Sequence, residues 1–136
     1  MNAVDKVAME EGFEGMMYDC PAGKKTIGFG MNLETTAIPK YIAKLWLKAL
    51  IMEIEGDLNR YDWFTHMNVT RRAVIVDMVY QMGLSGVLKF KNMIRALDDR
   101  NYKLAAVEML DSNYSRQTPN RANRNAELMH QGVVVS

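Results

Sequence analysis

The stretch from Arg71 to Met82 places Val74, Val76, Met78 and Val79 on more than one side of a helix, and a helix apolar on several sides must be wrapped by other elements. This segment is therefore expected at the centre of a helical core, with Thr70 as its N-cap. Gly83 and Gly86 break it, a further helix follows to about Leu97, and Asn101 caps another that runs to Leu110. Thr118-Pro119 opens a last helix, which Gly132 ends. Upstream, Pro39 suits a first helical position, and Ile42, Leu45, Ala49 and Met52 form an apolar stripe running to about Leu58, with Gly56 weakening the last turn. At 136 residues the chain is read as one domain, long enough to bury a core without disulfides or metals.

The N-terminal part has a different character. Met16 to Gly30 reads MMYDCPAGKKTIGFG, with Met17 to Cys20 extended, Pro21-Ala22-Gly23 a turn, and Thr26 to Phe29 extended again. Such a hairpin returns the chain beside the end of a first helix. The fold class that results is α+β: a small β-hairpin lobe over residues 12–38, a larger all-helical lobe from 1–11 and 60–136, and a joining helix over 39–58. A cleft is expected where the lobes meet, the usual place for a ligand.

Within the first helix, Val4, Val7 and Ala8 fall at i, i+3 and i+4, and Glu11 completes the stripe at i+7 just before Gly12 ends the helix. Partial burial and the negative end of the helix would both disfavour ionised Glu11, the condition for a carboxylic acid that donates a proton near neutral pH. Cys20 and Thr26 would flank the same cleft mouth, bringing an acid, a thiol and a hydroxyl together. Taken alone, Glu11 is also what a half-solvated surface glutamate looks like, and Cys20 what a small buried hydrophobe looks like.

Glu11, eight residues, Cys20, five residues and Thr26 stand within EG-x5-Y-x-C-PAG-x2-TIG-x-G. This pattern resembles the catalytic signature of the phage-type lysozymes, endolysins that cut peptidoglycan. AVIVDMVYQMGLSGVLKF (Ala73 to Phe90) is similar to that family's central buried helix, and QTPNRANR (Gln117 to Arg124) to its C-terminal arginine segment. The resemblance implies a lysozyme-like fold and hydrolysis of the β-1,4 bond between N-acetylmuramic acid and N-acetylglucosamine. Glu11 would be the acid, while Cys20, at a position usually Asp and in a minority Cys, would act with Thr26 on the attacking water. Whether Cys20 serves as thiolate, water holder or nucleophile stays open. Asp19 should point to the opposite face of its strand and is a poor substitute.

The same resemblance implies supporting roles. Arg121, the first arginine of TPNR, would approach and steady Glu11, and its charge would oppose the burial and helix-end effects there. Tyr80 and Gln81 match positions that line the sugar cleft, and Phe90 matches an aromatic that closes it; core packing is the plainer reading of both aromatics. Asn32 would reach the same cleft, and Gly30 closes the TIG-x-G run. Many family members carry His directly after that run, where this chain has Met31, so one polar partner of the site is missing. No cofactor or metal is implied. Peptidoglycan would be the partner and a monomer is expected, one that would wait in a bacterial host's cytoplasm until the membrane is permeabilised.

Up to Val69 there are 7 basic and 10 acidic residues, and from Thr70 onward 10 and 6, so the second half is mildly basic. The N-terminus lacks the basic-then-apolar pattern of a secretory signal, and Leu45 to Ile54 is too short and too charged to span a bilayer, so stable membrane insertion is not expected. Gly23-Lys24-Lys25-Thr26 echoes a phosphate loop, but Tyr18 stands where that loop needs Gly and Lys25 where it needs Ser or Thr. His66 and His130 are far apart in the chain, and no paired-Cys spacing exists for a metal. A helix-turn-helix DNA binder over Thr70 to Leu97 would have only Lys89, Lys91 and Arg95 as cations on an apolar second helix, so nucleic acid is not expected as a partner. A catalytically weakened relative that binds wall glycan is the remaining alternative, motivated by Cys20 and Met31.

Overall fold

The computed structural model describes residues 1–134; Val135 and Ser136, the end of the helical lobe expected over 60–136, lie outside the described residues. The chain divides into one unit of residues 1–45 and a second that begins at Trp46.

In the first unit, α1 (Ala3–Glu11) starts where the Asn2 side chain accepts the Asp5 N–H at 2.8 Å, with the Asp5 carboxylate favourably placed in the first turn. It stops at Gly12, whose φ of 68° turns the chain while its N–H donates to the Ala8 carbonyl at 3.0 Å. Three strands follow, β1 (Glu14–Asp19), β2 (Lys25–Gly28) and β3 (Met31–Asn32), in an antiparallel sheet of order β1-β2-β3. Register runs Tyr18 to Thr26 and Asp19 to Lys25, then slips before Glu14 meets Gly28. Thr26 and Ile27 pair on their other side with Asn32 and Met31.

The expected two-stranded hairpin is thus a three-stranded sheet. Phe29, expected in the second strand, sits instead in a turn between Gly28 and Gly30, both at positive φ (69° and 73°), the region that glycine enters without a Cβ penalty. The inward-facing stripe expected of α1 is not found either. Val4 is 77% and Val7 54% exposed, and α1 buries none of its residues. Of the described residues in this unit only Thr26 is buried, at 3% exposure.

α2 (Lys40–Leu58) runs across the boundary into the second unit. Its apolar stripe is out of phase with the sequence reading. Ile42, Leu45 and Met52 are exposed, whereas Ile51, Ile54 and the fully buried Leu58 turn to the core. After the short α3 (Asp62–Thr65), which buries Trp63 and Phe64, comes the central α4 (Val69–Met82). Its Val74, Ile75, Val76, Met78 and Val79 are all buried, as a helix apolar on several sides requires. Its cap is Asn68 rather than Thr70: the Asn68 Oδ1 accepts the Arg71 N–H at 2.9 Å, and its Nδ2 donates to the Gly132 carbonyl at 2.8 Å.

The remaining helices are α5 (Leu84–Leu88), α6 (Lys91–Asp98), α7 (Tyr102–Leu110), α8 (Asn113–Gln117) and α9 (Pro119–Gln131). Gly83, at φ 81°, makes the joint between α4 and α5, while Gly86, expected as a second break, lies inside α5. Asn101 caps α7 as expected, its Oδ1 accepting the Leu104 N–H at 3.1 Å. Arg71, in the first turn of α4, donates from Nε to the Met129 carbonyl at 2.7 Å and from Nη2 to the His130 carbonyl at 2.9 Å. It thereby satisfies two of the orphan carbonyls at the end of α9. Ile75, Met78, Met93, Leu97, Met109 and Met129 are fully or almost fully buried, each contributing about 1.5–3 kcal/mol relative to exposure.

Candidate active site

Glu11, Cys20, Thr26, Gly30 and Asn32 all belong to the first unit, and Tyr80, Gln81, Phe90 and Arg121 all belong to the second. Glu11 ends α1, and its carboxylate lies directly over Gly30: a Cβ built on Gly30 would stand 2.5 Å from Oε2 and 2.7 Å from Cδ. The glycine is required there twice, by its φ of 73° and by the carboxylate above it. Gly30→Ala should therefore displace the Glu11 carboxylate, since the far end of a side chain yields more easily than backbone. Stability is expected to fall by only about 1 kcal/mol, while any activity that depends on Glu11 falls much further. Urea unfolding beside a turnover assay checks this, and parallel losses in the two would contradict it.

Cys20 and Thr26 are diagonal neighbours across the other end of the hairpin. Thr26 pairs with Tyr18, two residues before Cys20, and Cys20 opens the loop that Lys24 closes. The closed hydrogen bonds of that loop run from the Cys20 N–H to the Lys24 carbonyl at 2.9 Å and from the Gly23 N–H to the Cys20 carbonyl at 2.7 Å. The backbone amides of Lys24 and Ala22 approach the sulfur and hold the thiol below its ordinary range; partial burial opposes them, and the Thr26 hydroxyl and the Gly23 amide add to the lowering. The Thr26 hydroxyl donates to the Lys24 carbonyl at 2.8 Å, so its single proton can serve the carbonyl or the sulfur but not both.

The pH midpoint for alkylation of Cys20 by iodoacetamide is expected below 9.0, the value of an unperturbed thiol. Thr26→Val should move that midpoint upward by removing one donor. A midpoint at or above the unperturbed value in the wild type would contradict this account of the loop.

Asn32, on β3, is committed locally: its Oδ1 accepts the Glu34 N–H at 2.9 Å, and its carbonyl accepts the Thr36 N–H at 2.8 Å. That Asx-type turn ends the sheet and fixes the Asn32 side chain.

In the second unit, Arg121 grips a residue the sequence reading passed over. Asp77, in the middle of α4, accepts from Arg121 Nε at 3.0 Å on Oδ2 and from Arg121 Nη2 at 2.5 Å on Oδ1, a bidentate pair. Asn125 Nδ2 donates both to Asp77 Oδ2 and to the Tyr114 hydroxyl, each at 2.8 Å. Burial works against the charged form of Asp77, but the hydrogen bonds from Arg121 and Asn125 outweigh it and hold the carboxyl below the usual carboxylate range. Burial raises the Tyr114 hydroxyl despite the opposing Asn125 hydrogen bond, and the Asp77 hydrogen bond raises Arg121 further.

Two cavities of similar size open on this unit. One, of about 530 Å³, has Asp77, Tyr80 and Arg121 among its walls, with Leu47 and Ile51 on the apolar side. The other, of about 520 Å³, has Gln81, Phe90, Tyr114 and Glu108. Tyr80 and Gln81 are consecutive on α4 and so open onto different faces of the helix. Gln81 Nε2 donates to the Thr118 hydroxyl at 3.2 Å, whereas its buried Oε1 accepts from no protein group. Phe90 meets Tyr114 edge-on, ring centres 6.4 Å apart.

Among the described residues no group of three His, Cys, Asp or Glu side chains is gathered to hold a metal ion, and no helix is long and apolar enough to cross a membrane. In comparisons with known proteins, the phage lysozyme family model matches residues 8–127. The chain is 34% identical over 88 residues to probable T4-type lysozyme 1 of Dictyostelium discoideum, covering 65% of this chain and 52% of that protein. It is 30% identical over 84 residues to probable T4-type lysozyme 2 of the same organism, covering 62% and 49%. The chain thus spans about half the length of the curated relatives it matches.

Proposed function

The chain belongs to the phage lysozyme family, and from that premise we propose that it is a muramidase. It would hydrolyse the β-1,4 bond between N-acetylmuramic acid and N-acetylglucosamine in peptidoglycan. The observation that carries this reading is the family match over residues 8–127, and the loop around Cys20 supports it. Cys20 lies in a loop whose amides favour an anion, so a thiolate could stand where a carboxylate would otherwise be. Glu11 passes its proton to the glycosidic oxygen as the C1–O bond breaks. A water held near Cys20 and Thr26 then adds to C1, and the proton it gives up goes to the thiolate. Arg121 keeps the supporting role that the resemblance implies, with Asp77 as its anchor. Tyr80, Gln81, Phe90 and Asn32 are assigned to the sugar chain.

Such an enzyme would act as a monomer on the wall of a bacterial host once the membrane is breached. Clearing of a peptidoglycan suspension by Cys20→Ala and Cys20→Asp tests the central substitution. The alanine variant should lose on the order of 10²-fold, and the aspartate variant, which places a carboxylate at the same position, should keep or exceed the wild-type rate. An alanine variant as active as wild type would remove Cys20 from the mechanism. A folded wild type that binds walls without clearing them would favour the weakened, glycan-binding relative.

A further inference from the structure

We propose that Met31 is a positioning residue for Glu11, acting through the Gly28–Phe29–Gly30 turn; this rests on the reading of Glu11 as the acid. The Met31 sulfur reaches back over that turn and accepts the Phe29 N–H at 3.1 Å. It lies so close to Gly28 that a Cβ there would stand 3.0 Å from Sδ. The turn is thus closed from above by a thioether, and its backbone by the pairing of Met31 with Ile27.

From this turn two contacts lead to Glu11. Gly30 lies beneath the Glu11 carboxylate, with no space for a Cβ between them. Phe29 packs its ring on Phe13 at 5.3 Å between centres, and Phe13 follows Glu11 by two residues, just past the Gly12 that ends α1. The turn therefore bears on the acid from its carboxylate side and from its backbone side. A thioether is a weak acceptor, but the N–H it holds is the one at the apex of this support. Met31 is not a spectator in place of a polar residue; its sulfur supplies the acceptor that the turn needs.

Two variants test the proposal. Met31→Leu keeps shape and removes the acceptor, and Met31→Asn restores an acceptor at the same number of bonds from the backbone. In Met31→Leu the Phe29 amide should exchange with solvent roughly three- to tenfold faster, and the Glu11 carboxyl ¹³C resonance should move at fixed pH. The kcat for peptidoglycan clearing should fall on the order of tenfold with KM unchanged, and Met31→Asn should recover both amide protection and kcat. Unchanged Phe29 exchange in Met31→Leu, or no recovery in Met31→Asn, would overturn the positioning role. If wild type does not clear peptidoglycan but the amide and carboxyl changes appear as stated, the positioning stands and the muramidase reading is what fails.

Discussion

Glu11→Gln is expected to abolish peptidoglycan clearing while leaving the far-UV spectrum and unfolding midpoint close to wild type. Glutamine keeps the shape of the side chain over Gly30 but has no acidic proton to give. A positioned general acid contributes roughly 10²–10⁴-fold, and loss of this one should approach the upper end, because an alkoxide leaving group departs poorly without protonation. The fold should be little affected, since α1 buries none of its residues. Turbidity clearing with matched circular dichroism checks the result. Wild-type activity in Glu11→Gln would remove Glu11 from the chemistry, and an unfolded variant would show that the contact with Gly30 is structural first.

Asp77→Ala is expected to destabilise the helical unit by about 2 kcal/mol, a part-buried ion pair falling below the loss seen when a fully buried one is broken. The substitution removes three hydrogen bonds at once: Arg121 loses both carboxylate oxygens of Asp77, and Asn125 loses one of its two acceptors. The effect should depend on pH with a definite sign. The Asp77 carboxyl is held below its ordinary value of 3.8, so the folded state binds its proton less readily than the unfolded state. Its contribution is therefore complete above the ordinary carboxylate value and is lost as pH falls through the lower folded value. Urea denaturation should show wild type more stable than Asp77→Ala at about pH 6, with the gap closing as pH falls below 3.8. A gap independent of pH would mean that packing, not charge, is what Asp77 supplies.

Much of the helical unit was legible because burial leaves a coarse record in sequence. α4 had to be central, since Val74, Met78 and Val79 cannot share one narrow stripe, and it is. Asn101 and Gly132 announced helix ends that the backbone then uses. Where two residues compete for one task, sequence is less decisive: Asn68 took the cap from Thr70 because its amide also reaches the Gly132 carbonyl, a partner 64 positions away. α3 and α8 are too short for periodicity to reveal.

The candidate site was legible as residue types and not as contacts. Asp77 offered a usable signal, a carboxylate inside AVIVDMVY, which must find a cation if it is buried; the arginines of QTPNRANR were the available partners. Gly30 and Met31 gave no such signal, because a glycine under a carboxylate and a thioether on an amide follow from the three-stranded register. The inward face expected of α1 failed for a related reason: periodicity states which residues share a face, and not what that face meets.

The proposed muramidase cuts the glycan with Glu11 as acid and water as the acceptor. The most direct measurement is mass-spectrometric analysis of the ends released from purified peptidoglycan by the wild-type chain, with Glu11→Gln alongside. Fragments with reducing N-acetylmuramic acid ends from the wild type, and none from the variant, are the expected result. Absence of any cleavage by the folded wild type, or anhydro ends in place of reducing ones, would contradict it.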